Sequence, residues 1–85
     1  MQKFEFTVTD ENGIHARPAG LLVKEAQKLS SDVSVACHDK TADAKKLFSL
    51  MSLGAKCGDT LRVTVSGINE REDAAALYRF MRETF

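Results

Sequence analysis

Residues 4–18 read Phe4-Glu5-Phe6-Thr7-Val8-Thr9-Asp10-Glu11-Asn12-Gly13-Ile14-His15-Ala16-Arg17-Pro18, and this stretch decides the fold class. Phe4, Phe6 and Val8 alternate with Glu5, Thr7 and Thr9, the period-two pattern of a strand with one buried face. Asp10-Glu11-Asn12-Gly13 is a run of turn formers that ends the strand. Beyond it the apolar period lengthens. Ala19, Leu22, Ala26 and Leu29 step by three or four residues and mark one face of a helix from about Arg17 to Leu29. Lys24 and Lys28 sit toward its C-terminal end, where cations suit the helix dipole.

Outward from this strand-turn-helix unit the pattern continues. Ser30-Ser31-Asp32 connects to a second strand, in which Val33, Val35 and Cys37 alternate with Ser34 and Ala36. His38-Asp39-Lys40 is a short turn, and Thr41 to Asp43 a brief third strand. Lys45 to Leu53 reads as a short helix with Leu47, Leu50 and Leu53 facing inward, stopped by Gly54. After a turn at Gly58-Asp59, Leu61, Val63 and Val65 alternate with Arg62, Thr64 and Ser66 in a fourth strand. Asn69 is placed to cap the last helix, with Glu72 completing a capping box. Ala74, Leu77, Tyr78 and Met81 form that helix's apolar side. The element order is βαββαβα, an α+β arrangement. Strands with one apolar and one polar face imply a single sheet with all helices on one side and water on the other.

Bulk properties narrow the function classes. A chain of 85 residues suffices for one domain over 1–85, and 44% apolar residues can fill its core. Twelve basic and twelve acidic residues leave no excess charge for general nucleic-acid binding. The apolar runs are too short to span a bilayer, and Met1-Gln2-Lys3-Phe4-Glu5 lacks the apolar stretch of a signal peptide, so a cytoplasmic location is expected. Cys37 and Cys57 match no close metal or redox spacing, and both are expected as free buried thiols.

The chemistry concentrates in Gly13-Ile14-His15-Ala16-Arg17-Pro18-Ala19. Pro18 is the only proline, tolerated in a first helical turn because its missing N–H has no intrahelical partner there. It biases Arg17 away from helical geometry, so the helix starts near that point and His15 lies just outside it. The unpaired N–H groups of Ala16 and Arg17 can then point back toward the ring, and a helix N-terminus of this kind binds anions. Arg17 adds a full charge with donors matched to phosphate oxygens. A neutral ring nitrogen of His15 can attack phosphorus to form a phosphoramidate. The same positive charges disfavour the imidazolium and stabilise an arriving dianionic phosphoryl group. A loop histidine alone is ordinarily a solvated or capping residue; Gly13, Arg17 and Pro18 around it argue for a phosphoryl acceptor. His38 lacks a helix start and reads as an exposed turn residue. Cys37 beside it makes only two adjacent ligands, which is no metal site.

The run from Gly13 to Pro18 resembles the signature of HPr, the histidine-containing phosphocarrier family of the bacterial phosphoenolpyruvate-dependent sugar phosphotransferase system. Leu50-Met51-Ser52-Leu53-Gly54 is similar to that family's second signature, and the length and element order match over the whole chain. The resemblance implies an open-faced β-sandwich, a four-stranded antiparallel sheet in order 1-4-2-3 covered on one face by three helices. It implies a carrier between enzymes, not an enzyme itself. His15 would take its phosphoryl group from Enzyme I through Nδ1, with Arg17 assisting and the Ala16 and Arg17 amides binding phosphate. Sugar-specific IIA domains would receive it, transcriptional regulators being further partners, with no metal or organic cofactor needed. Many relatives carry a regulatory serine where this chain has Lys46, so a switch by serine phosphorylation is expected to be absent; Ser49 and Ser52 read as ordinary helix-surface or packing residues.

Docking to several partners calls for a small apolar patch with a charged rim. If Leu47 and Leu50 face inward, Phe48 and Met51 should be exposed, with Leu47 contributing at the edge. Arg17, Lys24, Lys28, Lys45 and Lys46 would form the rim, and Gly20 and Gln27 lie near the face that the resemblance assigns to docking. A monomer is expected. Two rival readings remain open in the residues: an HPr-like paralogue in a regulatory phosphorelay, and a small interaction domain in which His15 is incidental.

Overall fold

A computed structural model describes residues 1–85. The chain forms β1 (Gln2–Thr7), α1 (Ala16–Lys28), β2 (Asp32–Cys37), β3 (Lys40–Asp43), α2 (Leu47–Met51), β4 (Thr60–Ser66) and α3 (Glu70–Thr84). The four strands make one antiparallel sheet in the order β1-β4-β2-β3, as expected. Register aligns the apolar positions across it: Phe4 pairs with Val63, Val63 with Val35, and Val35 with Ala42. Because side chains alternate along each strand, this row and the parallel row of Phe6 and Leu61 point to one face. Glu5, Thr7, Arg62 and Asp43 are exposed on the other.

The three helices close over the apolar face. Ala19, Leu22, Val23 and Ala26 of α1, Leu50 of α2, and Ala74, Leu77 and Met81 of α3 are buried with the strand residues in one core. Each fully buried leucine, such as Leu22, Leu50 or Leu77, contributes about 1.5–3 kcal/mol relative to leaving it exposed. Val8 continues into the core beyond the β1 ladder, its amide donating to the Asp59 carbonyl at 2.9 Å. The final turn of α3 is tied to the same loop, since the Thr9 amide donates to the Phe85 carbonyl at 3.0 Å.

Three local expectations change. The second helix spans only Leu47–Met51, because Lys45 and Lys46 belong to a turn: their amides donate to the Asp43 carboxylate at 2.9 Å and carbonyl at 3.1 Å. Asn69 stands at the N-cap of α3 but forms no capping box; its side chain donates to the Ser30 hydroxyl at 3.3 Å instead. Asp73, one turn in, accepts from the amide and hydroxyl of buried Ser31 at 3.2 and 2.6 Å, pinning α3 to the α1–β2 connection. Cys37 is buried, whereas Cys57 is exposed, since it lies in the 56–59 turn and not on a strand; both thiols are free. No helix is long and apolar enough to cross a membrane.

Candidate functional site

The turn before α1 is built from its own side chains. Asp10 accepts the Asn12 amide at 2.9 Å on Oδ1, and its carbonyl accepts the Gly13 amide at 2.9 Å. Gly13 then takes φ +66°, a left-handed conformation that glycine adopts without penalty. It also packs against the chain at Ala55 and Lys56 so closely that a Cβ there would lie 2.4 Å from the Ala55 carbonyl oxygen. The Ile14 amide donates to that same carbonyl at 3.0 Å, and buried Ile14 and Pro18 hold the segment from both sides.

His15 emerges from this support as the N-cap of α1, in extended backbone geometry with φ −112° and ψ 177°. Its carbonyl accepts the Ala19 amide at 3.0 Å, the first bond of the helix. Its side chain makes no capping hydrogen bond and is 40% exposed. Pro18 has no N–H, and the Ala16 and Arg17 amides donate to no other protein group, so the helix start presents two free donors beside an accessible ring. The helix begins one residue before the expected Arg17, which brings the Ala16 amide into its first turn. Arg17 is exposed and its guanidinium makes no hydrogen bond or ion pair within the protein. Asp10, a turn former by its place in the sequence, also brings Oδ2 to 3.8 Å from His15 Nε2. An acidic residue five positions before the histidine was its only signal.

The expected docking residues lie on α1, on α2 and at Lys46, the residue that precedes α2. Phe48 is 86% exposed and Met51 36%, while Leu47 is half-buried against the core. Leu21 of α1 is a further exposed apolar side chain, at 47% exposure, that periodicity does not single out because it lies outside the buried stripe of α1. Its signal is helical spacing, four residues after Arg17 and three before Lys24. Gly20 has open space where a side chain would stand, and Gln27 donates to the Lys45 carbonyl at 3.0 Å, linking α1 to the turn before α2. Of the five cations expected at the rim, two have partners within the protein. Lys45 Nζ donates to the Leu29 carbonyl at 3.1 Å, and Lys28 pairs with Glu25 at 3.0 Å. Arg17, Lys24 and Lys46 are exposed with no acidic partner. Ser49 and Ser52 have structural partners: Ser49 Oγ accepts the Asp43 amide at 3.2 Å, and Ser52 Oγ donates to the Ser49 carbonyl at 2.6 Å.

His38 is an exposed turn residue, as expected, but its surroundings are not plain. It takes φ +56°, and its Nε2 lies 3.2 Å from Asp59 Oδ2. The Lys56 amide and the His38 side chain hold the Asp59 carboxyl below its usual value, while burial, reinforced by the Asp59 charge, pushes the Cys37 thiol up.

Comparison with known proteins agrees with the geometry. The family model described as the HPr component phosphorylation site of the phosphotransferase system matches residues 2–83. The phosphocarrier protein HPr of Buchnera aphidicola subsp. Baizongia pistaciae is 38% identical over 77 residues, covering 91% of each chain. A solved histidine-containing phosphocarrier protein from a study of Mycoplasma divergence superposes with a TM-score of 0.93 at 31% identity, covering 98% of this chain and 94% of that one. An HPr structure from Thermoanaerobacter tengcongensis gives 0.92 at 33% identity, covering 100% and 96%.

Proposed function

The chain belongs to the HPr family of phosphocarriers, and from that premise we propose that His15 accepts a phosphoryl group from phospho-Enzyme I and passes it to sugar-specific IIA domains. The observation that carries this reading is the position of the His15 ring, at the start of α1 beside two undonated amides and an unpaired arginine. Asp10 Oδ2 stands 3.8 Å from His15 Nε2, too far for a hydrogen bond but on the Nε2 side of the ring, and in this reading Nδ1 is the nitrogen that attacks phosphorus. As the new P–N bond forms and the bond to the donor breaks, positive charge builds on the ring and Asp10 offsets it. The Ala16 and Arg17 amides and the Arg17 guanidinium stabilise the phosphoryl oxygens. Reversal of the same step delivers the group to a IIA domain.

Residues 1–85 act in this reading as one monomeric cytoplasmic domain that carries the group between enzymes without turning over a substrate of its own. Enzyme I and the IIA domains dock in turn on Leu21, Leu47, Phe48 and Met51, steered by Lys24 and Lys46, with Gly20 and Gln27 of α1 also in contact. Regulators that sense the phosphorylated form would use the same face. Lys46 replaces a phosphorylatable serine, so His15 is the single phosphorylation switch.

The test is incubation with phosphoenolpyruvate and Enzyme I, followed by a panel of IIA domains. An acid-labile label that is lost in His15→Ala, and that Arg17→Ala acquires about 100-fold more slowly, is expected. Absence of label leaves only the interaction-domain reading. Label that reaches no IIA domain assigns the protein to a regulatory relay.

A further inference from the structure

The β2–β3 turn brings two adjacent metal-ligating groups together with a third from a distant turn. Cys37 ends β2, His38 follows it, and Asp59 comes from the turn before β4. Cys37 Sγ, a His38 ring nitrogen and an Asp59 carboxylate oxygen all lie within 4.8 Å of one another. We propose that Cys37, His38 and Asp59 bind one borderline divalent metal ion of the Zn²⁺ type, with water in the remaining position.

The backbone supplies the reason that adjacent residues can share a site. Successive side chains in an extended strand point to opposite faces, so Cys37 and His38 would ordinarily diverge. The left-handed φ of +56° at His38, the only non-glycine residue with positive φ, breaks the alternation and turns the imidazole toward Asp59. Arg62 holds that turn, its Nη2 donating to the His38 carbonyl at 3.0 Å. The Lys56 amide, donating to Asp59 Oδ2 at 2.8 Å, fixes the carboxylate as a supporting partner of a ligand does.

The spacing and the donor set suit zinc. Ligand atoms of a tetrahedral Zn²⁺ site with nitrogen and oxygen donors stand about 3.3 Å apart. His38 Nε2 and Asp59 Oδ2 are 3.2 Å apart. Cys37 Sγ has to approach by about 1 Å, within reach of a side-chain adjustment. Thiolate, imidazole and carboxylate are together a zinc-type set, whereas Mg²⁺ and Ca²⁺ take oxygen donors. On binding, the thiol proton goes to solvent, and thiolate and carboxylate together balance the metal charge, with Arg62 as the opposing cation nearby. The His38 side chain is 67% exposed, so the ion enters from solvent and keeps its water there. Nothing in this site depends on His15.

Titration with Co²⁺ under reducing conditions reads the site directly through the near-ultraviolet thiolate-to-cobalt band. One equivalent is expected to saturate the wild-type chain, and Zn²⁺ to displace it and raise Tm. Cys37→Ser should abolish the band. His38→Asn and Asp59→Asn should weaken binding by about tenfold or more, the least that loss of a supporting group costs. Asparagine accepts the left-handed backbone, so His38→Asn tests the ligand in a folded chain even if Cys37→Ser does not fold. Cys57→Ser and His15→Ala should bind as the wild type does. Absence of a thiolate band, its persistence in Cys37→Ser, its loss in Cys57→Ser, or unchanged affinity in His38→Asn would overturn the proposal.

Discussion

Gly13 shows how one residue positions the chemistry of its neighbour. Its φ of +66° and its contact with the Ala55 carbonyl leave no room for a side chain, and the Ile14 amide uses the same carbonyl as an anchor. Gly13→Ala is therefore expected to cost about 1–3 kcal/mol, from the left-handed backbone and the forced separation of the two segments. At this chain length that lowers Tm by roughly 5–20 °C. His15 phosphorylation should slow as well, because the ring moves with the turn. Gly54 is the contrast: its φ is +64° but it has open space around it, so Gly54→Ala should lose only the backbone contribution of about 1–2 kcal/mol. Thermal melts of the two variants side by side decide the point, and equal losses would show that close approach is unimportant at Gly13. The sequence exposed part of this. Gly13 was legible as a turn residue and His15 as the residue before a helix, because both follow from local chemistry. The pressure of Ala55 on Gly13 was not, since forty-one intervening residues separate the two in the chain.

At the scale of elements, α1 and α2 divide their side chains between core and surface. Ala19, Leu22 and Ala26 of α1 and Leu50 of α2 are buried, while Leu21 and Phe48 are left to solvent. Surface substitutions that break no internal contact usually change stability by less than 0.5 kcal/mol. Phe48→Asp and Leu21→Asp should therefore leave Tm nearly unchanged yet raise the KM of Enzyme I for the carrier by about tenfold each. Unaltered transfer kinetics in both would move the docking face elsewhere; a large fall in Tm would show that these side chains support the core. The elements differ in how well periodicity revealed them. β1, β2, β4 and α1 were legible because each runs long enough for its period to repeat, whereas the four-residue β3 shows only a weak pattern. The five-residue α2 was overdrawn, since Lys45 and Lys46 are helix formers by type but are bound in a turn to Asp43. Asn69 and Glu72 matched a capping box by spacing, but a partner on another element, Ser30, took the asparagine. Tertiary competition of this kind leaves no mark on a local pattern. Cys37, His38 and Asp59 were unreadable together for the same reason.

Across the whole molecule, the sheet leaves one face wet and β1 at an edge, so the placing of that strand depends on what secures its ends. At one end the Met1 ammonium pairs with Glu70 in the first turn of α3, and the Gly67 amide donates to the same carboxylate at 3.2 Å. Phe4 and Phe6 carry the attachment further by edge-on contact with the Tyr78 ring, at centroid distances of 5.2 and 6.3 Å. The N-terminal ammonium first, and the Gly67 amide second, hold the Glu70 carboxyl below the ordinary 4.5. A depressed carboxyl means that the unfolded chain binds the proton more readily than the folded one. Stability from this group is fully present above the unfolded value and is lost as pH falls through the folded value. Glu70→Gln is thus expected to be slightly less stable than wild type near neutrality and to lose less stability on acidification below about pH 4.5. Urea unfolding of both proteins at about pH 7, 4 and 3 measures this, the two curves converging as the carboxylate is neutralised. Parallel curves would mean that the contact between α3 and the start of β1 contributes nothing to the pH dependence of folding.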